Sequence, residues 1–118
     1  MATEDDLGRL ALSLAGVEAV QQHGQLHYAI DGKGIAWAYL ARERPKAKRT
    51  PQPGVFAIRC PLEEKEMLIE AAPDIYFDDD YYHGYPVVLV RLALIGEAEL
   101  AAMLARAYEI QAGRARKR

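Results

Sequence analysis

The sequence predicts an α+β fold in which an antiparallel sheet carries helices packed mainly on one face. Two observations lead to this prediction: strand-like runs that include a hairpin fill the middle of the chain, and amphipathic helical patterns lie at both ends. The predicted element order is α-β-β-β-α-β-α. At 118 residues the chain is expected to form one domain, 1–118, that buries roughly two thirds of its unfolded surface.

The composition excludes several classes of protein. With 51% hydrophobic and 27% charged residues, the chain is neither disordered nor fibrous. A single cysteine excludes a disulfide framework or a cysteine-based zinc cluster within the chain. The acidic start lacks the pattern of a signal peptide, and no apolar run approaches the ~20 residues that cross a bilayer, so we expect a cytoplasmic protein without a membrane segment.

The first helix is predicted to begin after Thr3, which suits an N-cap, with Asp6 placed to complete a capping box. Gly16 is expected to end it. The apolar stripe that predicts one buried face consists of Leu7, Leu10, Ala11 and Leu14.

A β-hairpin follows a loop. Alternating residues 26–30 and 35–40 flank Asp31-Gly32-Lys33-Gly34, which tolerates the positive φ of a tight turn. In the second strand the large residues are expected to share one face, with alanines on the other. These large residues are Ile35, Trp37 and Tyr39.

The second half of the chain continues the α+β pattern. A third strand is predicted at 55–60, a helix between Pro61 and Pro73, a short extended piece at 75–77 and a central strand at 87–92. The apolar side of that helix is predicted to be Leu62, Met67, Leu68, Ala71 and Ala72. A last helix begins after Gly96 and is expected to end at Gly113. Its apolar stripe is Leu100, Met103, Leu104, Ala107 and Tyr108.

Positive charge is concentrated although the net charge is −2. Nine of the fifteen lysines and arginines fall in a loop, 42–54, and a tail, 114–118. Such segments neutralise phosphates without reading sequence, which suggests weak, non-specific DNA binding. The candidate DNA-binding residues are Arg42, Arg44, Lys46, Lys48, Arg49, Arg114, Arg116, Lys117 and Arg118.

The alternative function is a ligand-binding or protein-interaction module built on the aromatic segment 76–85. Aromatic rings on a loop can line a small-molecule pocket, or they can simply pin the loop to the core. The candidate ligand-binding residues are Trp37, Tyr81, Tyr82, His83 and Tyr85.

No pattern points to catalysis, a cofactor or a metal. Asp78–Asp80 with His83 are interpreted as an acidic turn, because consecutive acids cannot all face one ion. His23 and His27 have metal-ligand spacing, but they are expected to flank a loop and not to share a helix face. Cys60 has no evident catalytic partner, and we expect a non-enzymatic protein.

The chain resembles the MmcQ/YjbR family along most of its length. The resemblance lies in Asp6–Glu18, in Gly32–Trp37, in Tyr82–Leu92, and in the helix from Glu99 to Tyr108. It implies a fold like that of CyaY and frataxin, and a DNA-binding role. Frataxin-like iron binding through an acidic first helix is not expected, because Glu4, Asp5 and Asp6 are too few. No pattern indicates an oligomeric state.

Overall fold

The computed structural model describes residues 1–22, 25–41, 48 and 50–116, without the side chains of 22, 51, 115 and 116. Six strands form one sheet in the order β1-β2-β3-β4-β6-β5, and every neighbouring pair is antiparallel. The elements are α1 (Glu4–Leu12), β1 (Val17–Gln22), β2 (Gln25–Ile30), β3 (Lys33–Ala41), β4 (Thr50–Arg59), α2 (Leu62–Ala71), β5 (Tyr76–Phe77), β6 (Val87–Arg91), a 3-10 turn (Leu92–Leu94) and α3 (Glu97–Arg116).

The α+β class and the antiparallel sheet are confirmed, and the predicted elements occur in the predicted order. Two details differ. Strand β1 was expected to be loop, but it pairs along its whole length with β2 as an edge strand. Strand β6 lies next to the short edge strand β5 and not at the centre of the sheet.

Helix α1 begins as its sequence predicts. The Thr3 hydroxyl accepts a hydrogen bond from the Asp6 amide at 3.1 Å, and the Asp6 carboxylate accepts one from the Thr3 amide at 3.0 Å. This capping box satisfies two amide donors that a helix end otherwise leaves unpaired. Leu7, Gly8 and Ala11 are buried, so α1 packs one face against the rest of the protein.

The predicted hairpin is present, with Asp31 and Gly32 at positive φ in its turn. Its register shifts, however, because Tyr28 pairs with Ala36 while Ala29 pairs with Gly34. The extra residue, Ile35, therefore turns towards the helices together with Ala36. The expectation that Ile35 shares a face with Trp37 and Tyr39 is wrong for this reason.

The two faces of the sheet differ in what covers them. One carries the main core, against which α1, α2 and α3 pack. The opposite face, here called the open face, carries a smaller cluster that includes Tyr39, Val55, Ala57 and Leu89. Segment 78–86, here called the aromatic loop, reaches part of this face through Tyr82.

Two helices depart from their predicted patterns. In α2 the buried residue is Lys65, whereas Met67 is 69% and Leu62 39% exposed. Helix α3 continues past Gly113 to Arg116, so Gly113 does not end it and the basic tail begins inside a helix. Its predicted stripe lies in the core or at its margin. No helix in the described part of the chain is long and apolar enough to cross a membrane.

Candidate ligand-binding cleft

Two adjoining depressions occupy the part of the open face beside the aromatic loop. Their volumes are about 520 and 440 Å³, and both are lined by His27, Trp37 and Arg59. We call this combined region the cleft. Gly34 and Gln21 line its first half, and residues of the aromatic loop line its second.

The sheet register brings the three shared residues together. His27 on β2 pairs with Trp37 on β3, and Trp37 pairs with Ala57 on β4. Because side chains alternate along a strand, Arg59 points to the same face as Ala57. The His27 and Trp37 rings are stacked, with centroids 5.7 Å apart and planes 15° from parallel. The floor of the cleft is thus an aromatic pair beside a guanidinium group.

Tyr82 forms the wall over this floor. The Trp37 indole N–H donates a hydrogen bond to the Tyr82 hydroxyl at 2.9 Å. Tyr81 packs edge-on against the Tyr82 ring, with centroids 4.9 Å apart, and the centroid of the Tyr39 ring lies 6.4 Å from that of Tyr82. These contacts fix the orientation of the indole, which is the largest flat surface in the cleft.

A buried lysine holds the aromatic loop in place. Lys65 is 1% exposed, and its ammonium group donates to the carbonyl oxygens of Tyr82 at 2.8 Å and Tyr85 at 3.0 Å. It also forms an ion pair with Asp78 at 3.0 Å. An ammonium has three donors, and all three find acceptors here, as a buried charge requires.

Two carboxylates of the acidic run, those of Asp78 and Asp79, are part of this support. The Asp79 carboxylate accepts hydrogen bonds from the Tyr82 amide at 2.8 Å and from the Tyr39 hydroxyl. Asp78 pairs with Lys65 and lies 3.6 Å from His83. Within the described ranges, no three His, Cys, Asp or Glu side chains are grouped as metal ligands would be.

Arg59 is the arginine that lines both halves of the cleft. It is half-buried, and its Nε–H is buried without a hydrogen-bond acceptor. No carboxylate of the described chain forms an ion pair with it, whereas Arg106 pairs with Glu64. Burial, and next the positive charge of Arg114, lower the pKa of Arg59. The cleft therefore contains a cation without a counter-charge from the described residues.

The structure brings together four of the five residues predicted for a ligand site: Trp37, Tyr81, Tyr82 and Tyr85. The fifth, His83, does not line the cleft, and its side chain is 86% exposed. Sequence reasoning missed His27 and Arg59 as cleft residues. The alternation of β2 places His27 on the open face, but only the strand pairing shows that Arg59 lies beside Trp37.

Most residues predicted to bind DNA lie outside the described part of the chain. These are Arg42, Arg44, Lys46, Arg49, Lys117 and Arg118. Lys48 is exposed. Arg114 is exposed on α3, and Arg116 ends that helix with its side chain undescribed.

Cys60 is buried between β4 and α2. Burial, together with the nearby Glu64 carboxylate, raises the pKa of its thiol to about 11. At neutral pH the thiol is protonated, and a protonated thiol is a weak nucleophile.

Comparison with known proteins identifies the family but no described activity. Uncharacterized proteins of Mycobacterium bovis and Mycobacterium tuberculosis are each 29% identical over 119 residues, covering 95% of this chain and 90% of theirs. No solved structure matches the chain, so likeness to CyaY and frataxin stays a prediction. The YjbR family model matches residues 12–110, which include the whole sheet and most of α3. The protein therefore belongs to the YjbR family, the MmcQ/YjbR family that the sequence resembles.

Proposed function

We propose that this protein is a non-enzymatic binding domain whose cleft takes a small molecule with a flat aromatic ring. The observation that carries the proposal is the pre-positioned indole of Trp37, stacked on His27 and hydrogen-bonded to Tyr82. Small-molecule sites combine apolar and aromatic lining with a few fixed polar groups, and the cleft has this composition.

The support of the aromatic loop favours binding over a merely structural role for the rings. Aromatic rings whose only role is to hold a loop against the core are expected to be buried. Tyr81 and Tyr85 are instead 60% and 56% exposed. The loop is held instead by the backbone contacts of Lys65. Because the loop is fixed from beneath, a ligand would not need to order it on binding.

Tryptophan emission provides the direct test, since Trp37 is the only tryptophan. Adenosine and riboflavin are titrated as ring-bearing probes by Trp37 emission, and indole is tested by thermal shift with a broader metabolite panel. We expect a saturable change in Trp37 emission and a higher melting temperature with at least one compound. No response to any compound at millimolar concentration would contradict the proposal.

A pair of matched variants locates the binding. Tyr82→Phe removes the hydroxyl that holds the indole, and Tyr108→Phe removes a hydroxyl that instead bonds the Ala15 carbonyl oxygen at 2.7 Å. We expect Tyr82→Phe to weaken binding about five- to tenfold, because one hydrogen bond contributes about 1 kcal/mol. Tyr108→Phe should leave binding unchanged.

DNA binding through the basic loop and tail is a second proposal. One observation supports it. Arg114 on α3 lies near enough to Arg59 that its positive charge lowers the pKa of Arg59, so two cations lie near each other at this end of the sheet. A mobility shift with duplex DNA at low salt tests it, with the five loop cations replaced by alanine. The variant should bind more weakly, and equal binding would contradict the mechanism.

A further inference from the structure

We infer that the ligand of the cleft carries a phosphate or carboxylate group, which Arg59 binds beside the ring that stacks in the cleft. This inference rests on the proposed function, since it specifies the chemistry of the same ligand. It goes further by assigning the cleft an anionic heteroaromatic compound, such as a nucleotide or an aromatic acid.

The first support is the unsatisfied state of Arg59. Its Nε–H is buried without an acceptor, although buried polar groups in folded proteins nearly always have one. A guanidinium group stays charged at any physiological pH, so it cannot relieve this cost by losing a proton. A bound oxyanion that contacts the guanidinium group from the cleft would supply the missing negative charge.

The second support is the electrostatic character of the cleft. The described residues that line it with Arg59 include glutamines, His27 and tyrosines but no carboxylate. The acidic residue of the edge strand β1 is Glu18, which pairs with Ala29 of β2. At ~4.8 Å per strand, Glu18 lies about 14 Å from β4, too far to neutralise Arg59. Arg114 adds positive potential.

The third support is the relation of the cation to the ring. Arg59 and Trp37 line both halves of the cleft, so a flat ring on the indole leaves a substituent within reach of the guanidinium. The planar donors of arginine match the paired oxygens of a phosphate or carboxylate. An uncharged ring would occupy the aromatic floor and leave Arg59 unpaired.

Paired probes test the inference. Adenosine and AMP share a ring system, as do indole and indole-3-acetate, and only the second member of each pair has an anionic group. In the wild-type protein we expect the anionic member of at least one pair to bind about tenfold more tightly, as measured by calorimetry. Arg59→Gln should abolish this preference, because the anionic member of the pair loses more affinity than the neutral member does.

Two control variants distinguish the loss of the Arg59 charge from a general effect of removing an arginine. Arg9→Gln removes an arginine that pairs with Glu97 on the helix side, and it should keep the preference. Arg59→Lys should restore part of it. Arg59→Gln is expected to fold, because it removes an unpaired, half-buried charge.

The outcomes distinguish the two proposals. Equal wild-type affinity for both members of each pair would overturn the anion inference and leave the ring-binding proposal standing. Failure of every ring compound to bind would overturn both. A nuclear magnetic resonance titration with inorganic phosphate gives a second reading, in which the Arg59 Nε–H signal should shift and the Arg9 signal should not. If duplex DNA alone moved the Arg59 signal, the small-molecule assignment would be wrong.

Discussion

The Trp37 ring lies so close to Gly34 that a Cβ atom at position 34 would come within 3.1 Å of ring atom Cζ3. The bulge at Ile35 causes this contact, because it puts residues 34 and 37 on the same face of β3. Glycine at this position therefore makes room for the indole at the floor of the cleft.

We predict that Gly34→Ala changes the cleft more than it changes stability. The added methyl group must displace the indole by a few tenths of an ångström, which should alter Trp37 emission and weaken ring binding about three- to tenfold. The loss of stability should stay below about 1 kcal/mol, since the neighbouring ring is half-exposed and can move. Fluorescence and urea denaturation measure the two effects.

Gly113→Ala is the matched control, because a Cβ at this position in α3 meets nothing within 4 Å. It should leave Trp37 emission unchanged and raise stability by up to about 1 kcal/mol through helix propensity. If Gly34→Ala left emission and binding unchanged as well, the packing of Trp37 on Gly34 would not shape the cleft.

Lys65→Met is predicted to loosen the aromatic loop. The substitution leaves two carbonyl oxygens and Asp78 without their shared donor. We expect a loss of roughly 2–3 kcal/mol, less than for a fully buried pair because Asp78 is one quarter exposed. Trp37 emission should shift to longer wavelength as Tyr82 moves and water enters.

Asp78→Asn tests the charge of the same pair. It keeps an acceptor for the ammonium group but leaves that buried charge without its counter-charge, so we expect a loss of stability comparable to that of Lys65→Met. Equal stability of wild type and Lys65→Met in urea denaturation would rule out the anchoring role of Lys65.

The contact between α1 and β2 offers a test of core packing. A Cβ at Gly8 would lie 2.6 Å from the Tyr28 hydroxyl oxygen, closer than packed atoms approach. Gly8→Ala should therefore destabilise by about 1–3 kcal/mol despite the better helix propensity of alanine. Tyr28→Phe removes the offending oxygen, so the double variant should recover most of that loss. Additive effects in a thermal or urea double-mutant cycle would contradict this clash.

Local features were predictable from the sequence because their causes are local. The capping box of α1 needs only Thr3 and Asp6, three residues apart. The β2–β3 turn needs only residues that tolerate positive φ, and Asp31 and Gly32 supply them. The edge strand β1 was missed because its exposed Val20 and its glutamines break the alternation that marks a half-buried strand.

Only some of the cleft residues could be predicted from the sequence. The others come together through strand pairing, which the sequence alone does not specify. The aromatic members were evident from their density, but a one-residue bulge decides that Trp37 faces the cleft with Gly34. Arg59 joins them only through the pairing of β3 with β4. In α2, hydrophobicity favoured Met67 as a core residue, whereas Lys65 is buried because its ammonium group finds acceptors on the aromatic loop.

Stability is predicted to fall as the pH rises above about 9. Burial raises the pKa of Cys60 from 9.0 to about 11, and burial together with the Glu99 hydrogen bond raises the pKa of Tyr76 above its ordinary value. Both groups are neutral when protonated, so the folded state holds these protons more tightly than the unfolded state does. Between pH 9 and 11 the unfolded chain therefore binds fewer protons, and the free energy of unfolding decreases with pH.

Cys60→Ala isolates the thiol in this pH dependence. For the wild type, the thiol should account for a loss of about 1 kcal/mol between neutral pH and pH 10, at 1.36 kcal/mol per pKa unit. The alanine variant begins less stable, because it leaves a small cavity, but its stability should decline less steeply over the same range. Urea denaturation at pH 7, 8, 9 and 10 compares the two slopes. Parallel slopes would mean that Cys60 ionises equally readily in both states, which a thiol buried between β4 and α2 should not do.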